Sequence, residues 1–158
     1  MVTIGGCAIG LTLRSDPDSA QKPVTVEAGD GWTFQVYQDE VNDPCTQLIA
    51  EDASEAATGD ENGVVAGQCA FGVVADPDDP DAAPQYRATS FTIRGRVVVF
   101  GPVPDEVATV RLNLVDGSQP TVRTSEHNGV HYFVRSVEAE DKGPTILLDS
   151  AGREVTPG

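Results

Sequence analysis

Residues 96–115 read RVVVFGPVPDEVATVRLNLV, and the pattern inside them sets the fold class. Val97, Val98, Val99 and Phe100 form an unbroken apolar run, as in a strand covered on both faces. Gly101-Pro102-Val103-Pro104-Asp105 should interrupt it, because each proline lacks a backbone donor and fixes φ. From Ala108 the residues alternate. Ala108, Val110, Leu112 and Leu114 share one face; Thr109, Arg111, Asn113 and Val115 share the other. Asp116-Gly117 then offers the residues of a tight hairpin turn. A two-residue turn there would set Arg123 opposite Val110 and Thr121 opposite Leu112, on the apolar face. A bulge near Gln119-Pro120 is therefore expected to shift the pairing and turn Val122 inward.

Upstream, Trp32, Phe34 and Val36 alternate with Thr33, Gln35 and Tyr37. Trp32 reads as a core anchor, or alternatively as a platform for ligand stacking. Val24–Glu27 precedes it as a short strand, with a turn at 28–31. Strands are also expected over 46–51, 68–75 and 88–94, and one or two loose ones within Met1–Arg14. Asp52–Ala66 has little to bury and reads as a mobile loop. Downstream, Asn128-Gly129 between extended segments specifies a type I′ hairpin. That turn sets His127 opposite Val130 and Glu126 opposite His131, a surface cross-strand pair. Further strands are expected over 145–148 and 153–156. Helical periodicity is missing from every stretch. The expectation is an all-β protein, an antiparallel β-sandwich with little helix, of roughly ten short strands. Its core should contain Trp32, Phe34, Val36, Phe71, Phe91, Val98, Phe100, Val110, Leu112, Leu114, Phe133 and Leu147.

The acidic run Asp76-Pro77-Asp78-Asp79-Pro80-Asp81 and the residues to 87 read as a stiff linker or loop. It divides the chain into an N-terminal β sub-domain (1–75) and a β-sandwich portion (88–158). The net charge is −15, from 25 acidic and 10 basic residues, so clustered phosphate-binding cations are lacking and nucleic acid is an unsuitable partner. No apolar run approaches the ~20 residues needed to span a membrane. Met1–Ile9 lacks the basic start and apolar core of a leader, so an exported protein would carry its leader ahead of this chain.

The cysteines are Cys7, Cys45 and Cys69, with no zinc-ligand spacing. Cys45 and Cys69 flank the acidic, Gly-rich insert, which a crosslink would tie down, and their disulfide is expected. On the chain-entropy model it is worth roughly 3 kcal/mol. The alternative is three buried free thiols in a cytosolic protein. Oxygen-rich runs make Asp39 and Asp43, and Asp76, Asp78, Asp79 and Asp81, candidate calcium ligands, although neither run follows the EF-hand spacing. The bland reading of both is solvated charge. His127 and His131 sit at a hairpin tip, and no G-x-S-x-G elbow occurs, so no catalytic residue is assigned.

Val99-x-Gly101-x-Val103-Pro104, Val107, Val110-x-Leu112, Asp116-Gly117 and Leu148-Asp149-x-x-Gly152-Arg153 form one pattern. With Gly31-Trp32 and two separated cysteines, it resembles uncharacterised exported β-sandwich domains of high-GC Gram-positive bacteria. The resemblance implies an Ig-like, extracellular or cell-surface module and supplies no catalytic residue. The expected function is non-catalytic binding of a protein or a cell-wall component, with no inserted membrane segment. A structural subunit of an extracellular or phage assembly is the alternative, and a carbohydrate-active enzyme the weaker one.

Overall fold

A strand made wholly of apolar residues needs cover on both sides, and the computed structural model supplies it from two separate cores. The structure describes residues 22–51, 63–71, 73–74, 78–79, 81 and 85–156. Among them every regular element is a strand. β1 (Val24–Gly29), β2 (Trp32–Gln38), β3 (Pro44–Ala50) and β4 (Val64–Cys69) form one sheet in that order. β5 (Val73–Val74) pairs with β6 (Gln85–Tyr86). Then follow β7 (Thr89–Ile93), β8 (Arg96–Pro102), β9 (Thr109–Arg111), β10 (Thr121–Arg123), β11 (Ser125–His127), β12 (Val130–Val137) and β13 (Ile146–Leu148). They make two further sheets, ordered β11-β12-β8-β7 and β10-β9-β13.

The sheet containing β8 is the middle layer. Val98 and Phe100 of β8, with Val130 and Tyr132 of β12, pack against Trp32, Phe34, Val36 and Leu48 of the first sheet. Phe34 meets Phe100 edge-on at 5.3 Å and Tyr132 at 5.5 Å between ring centroids. On the opposite face, Val97, Val99, Phe133 and Val137 pack against Val110, Val122, Leu112 and Leu147. The strand alternation that sends neighbours to opposite faces thus divides β8 between two cores. The expected boundary at 76–87 lies around the β5–β6 pair, and strands from both sides of it share the Trp32–Phe100 core.

Several expectations change in detail. β8 does not stop at Phe100; Gly101 and Pro102 still pair with Phe133 and Tyr132. Pro102 is tolerated because it sits at the last position of the strand. β4 begins at Val64, inside the segment read as loop, while residues 52–62 lie outside the described part. Cys7 and the strand expected within Met1–Arg14 lie outside it as well. Phe71 and Phe91 are half-buried, packing at the edges of the two cores. The other ten residues expected in the core are buried.

Val122 does turn inward, opposite Val110. The cause is the turn and not a bulge near Gln119-Pro120. Leu114 N–H bonds to Ser118 O at 2.9 Å, and Leu112 N–H to Pro120 O at 2.9 Å, so the register is already set at the turn. The loop is three residues, Val115-Asp116-Gly117, with Gly117 at φ 91°. This is the three-residue hairpin with a left-handed last position. The Asn128-Gly129 turn has φ 49° and 84°, and His127 lies opposite Val130, as a type I′ turn requires.

Gly101 is fixed by a close approach. A Cβ there would run into the Tyr86 hydroxyl, which donates to Pro102 O at 2.8 Å inside the core. Burial pushes the Tyr86 phenol far above its ordinary value, so it remains a donor. We expect Tyr86→Phe to cost about 1–3 kcal/mol by orphaning a buried carbonyl. Gly101→Ala should cost a similar amount by displacing the phenol. Because both remove one bond, urea unfolding of the double variant should show less than the sum. Full additivity would mean that the two residues act separately.

Candidate functional site

Where the strands of the middle sheet and the β10-β9-β13 sheet end, their connections wall an open groove of 1040 Å³. One wall is the β8–β9 connection, Asp105 to Ala108; the others are Arg123–Glu126, His131 and the turn after β13 at Asp149, Ser150 and Gly152. A smaller depression of 330 Å³ adjoins it, lined in part by Gln38, Asn42, Phe71 and Gly129. Asp105, Glu106 and His131 line both.

The walls are held by polar side chains bonded to backbone. His131 Nε2 lies 3.0 Å from Val107 O and 2.9 Å from Thr124 Oγ1. Thr124 Oγ1 lies 2.8 Å from Val107 O and 3.2 Å from Ala108 O. The two carbonyls only accept, so a bond to either is donated by the Thr124 hydroxyl or by the His131 ring. His131 and Thr124 together clamp the β8–β9 connection to β12. The expected surface pair of Glu126 with His131 is therefore not formed, although the two residues are opposite in register. Glu126 Oε2 instead accepts Gly129 N–H at 2.7 Å and closes its own hairpin.

Asp149 shapes the far wall. Its Oδ1 accepts Arg153 N–H and Ala151 N–H, both at 2.9 Å. The backbone N–H of Arg153, above all, holds this carboxyl below its ordinary value. Four carboxylates, Asp105, Glu106, Glu126 and Asp149, line the groove beside a single arginine, Arg123. None of the groove was expected from sequence. The one local signal was Asp149-x-x-Gly152, which marks a turn but says nothing of what faces it.

The disulfide Cys45–Cys69 is present, on the outer face of the first sheet. The two residues are directly opposite in the β3–β4 ladder. Ala70 N–H bonds to Pro44 O one step along, so the cysteines occupy a non-hydrogen-bonded pair with Cα atoms 4.1 Å apart. Among the described residues, Asp39, Asp43, Asp78, Asp79 and Asp81 form no group of three carboxylates. Asp76 lies outside the described residues. Asp39 Oδ1 accepts Val41 N–H at 3.0 Å and Asp43 N–H at 2.9 Å, closing its own loop. Asp79 Oδ1 accepts Asp81 N–H at 3.2 Å. Among the described residues, the one group of three metal-capable side chains is Asp39 with Cys45 and Cys69. Asn113, expected on the open face, is half-buried and donates to Gly143 O at 3.0 Å. No family model, curated protein or solved structure matches this chain.

The role of Asp149 has a definite pH signature. Its folded pKa is depressed, so its stabilisation is present above the unfolded value, about 3.9, and is lost as pH falls through the folded one. Asp149→Ala should lower the melting temperature at pH 7, and the gap from wild type should narrow in strong acid. A gap independent of pH would show that the charged carboxylate does not hold the turn.

Proposed function

We propose that the protein is a non-catalytic, extracytoplasmic interaction module of Ig-like type that engages a partner protein or cell-wall component through the groove. The observation that supports this most is the groove's construction. It is open, and its histidine is bound to backbone as a wall clamp. That arrangement orients surfaces; it does not pair a base with a nucleophile. The Cys45–Cys69 disulfide is consistent with an oxidising compartment. The excess of carboxylates favours a cationic segment as ligand. The resemblance of the sequence pattern to exported domains of high-GC Gram-positive bacteria fits the same reading.

Two probes test it by amide chemical-shift mapping: an oligolysine peptide and a soluble peptidoglycan fragment. One of them should perturb the Asp105–Thr109, Thr124–Glu126 and Asp149–Gly152 backbone and little else. A Glu106→Lys variant should then weaken the peptide about tenfold. Perturbations spread over the whole surface, or none with either probe, would overturn the reading. A structural subunit of an extracellular or phage assembly is the second reading, favoured by β1. Among the described residues that strand is an edge of its sheet, exposed along most of its length, with Val24 39% exposed. Concentration-dependent oligomers in sedimentation would move the conclusion to it.

A further inference from the structure

We propose that Cys45, Cys69 and Asp39 form a metal site that replaces the disulfide when the disulfide is reduced, taking a thiophilic divalent cation of the zinc class. The inference goes beyond the interaction reading and does not depend on it. Its basis is placement. The two sulfurs and a carboxylate oxygen of Asp39 lie within 4.8 Å of one another. The backbone ladder also sets the two cysteines opposite each other. β3 and β4 pair in register from Cys45↔Cys69 to Leu48↔Ala66. Asp39 is fixed independently by the two N–H groups that bind its Oδ1, and its other oxygen makes no bond to any described residue.

The chemistry of this donor set is selective. Two thiolates and one carboxylate suit zinc or cobalt(II), and a single carboxylate is far too few oxygens for calcium. Cys45 is fully buried, while Cys69 is exposed, so a fourth position is open to water. The Tyr37 hydroxyl lies 3.9 Å from Cys69 Sγ, where it can donate to the metal-bound sulfur and orient it. The steps balance. A dithiol reductant opens the S–S bond, giving two protein thiols and its own disulfide. The divalent ion then displaces two thiol protons and forms two metal–sulfur bonds. In either state the same two strands are stapled at the same point.

The test uses the full chain with Cys7→Ser, so that the site thiols are the only ones. After reduction with a phosphine, cobalt(II) is added and the visible spectrum recorded. One equivalent should produce the d–d bands of tetrahedral cobalt with thiolate charge transfer below them. Cys69→Ser should abolish the charge transfer, and Asp39→Ala should weaken cobalt binding about tenfold or more. In parallel, zinc should raise the melting temperature of the reduced protein and leave that of the oxidised protein unchanged. The proposal is overturned if cobalt gives no thiolate bands or if Cys69→Ser retains them. It is equally overturned if zinc stabilises both redox forms alike, or if reduction alone removes the β-sheet circular dichroism.

Discussion

The interaction on which the structure depends is the double burial of β8. Val98 and Phe100 belong to one core, Val97 and Val99 to the other, and all four are buried. A strand in that position has no polar face to offer water, so its sequence must be apolar throughout. Both outer sheets are thereby tied to one middle strand. Displacing it would open two cores at once, which links strands from the N-terminal part to strands from the C-terminal part in one packing unit. The close approach of Tyr86 to Gly101 extends the constraint, since the strand's last turn of ladder has no room even for a methyl group.

The surface follows a second rule. Much of the excess negative charge serves the turns. Asp39, Asp79, Asp116, Asp141, Asp149 and Glu126 each accept a backbone N–H a few residues along the chain. A short acidic side chain is well suited to satisfy donors that no strand reaches. Asp116 shows the consequence most directly. The Ser118 hydroxyl, then its N–H, hold this carboxyl below the ordinary carboxylate range. An all-strand fold has many turns, and these six carboxylates serve them.

The groove and the disulfide lie on different parts of this frame and owe their geometry to different causes. The groove is walled by connections and by residues of β9 to β12, held in part by side chain to backbone bonds such as that of His131 to Val107 O. The disulfide is set by strand register, because a non-hydrogen-bonded antiparallel pair already brings two Cβ atoms close. Neither requires the other. The walls of the groove can therefore vary with loop sequence while the staple on the outer sheet stays in place.

What the sequence determined by itself was everything that depends on neighbours along the chain. Alternation at Trp32, Phe34 and Val36, and at Val110, Leu112 and Leu114, identified inward faces correctly. Asn128-Gly129 specified its own turn, and the Cys45–Cys69 pair was legible from what it flanks. The tertiary structure alone decided which of two cores each inward side chain enters. It alone set a three-residue loop at Asp116-Gly117, and turned His131 from its expected carboxylate to a carbonyl of another connection. It also half-buried Asn113 against Gly143, and left Phe71 and Phe91 at core edges. The physical reason is the same in each case. Periodicity states which side of a strand is apolar, but the partner that covers it comes from a distant part of the chain, through contacts no local pattern encodes.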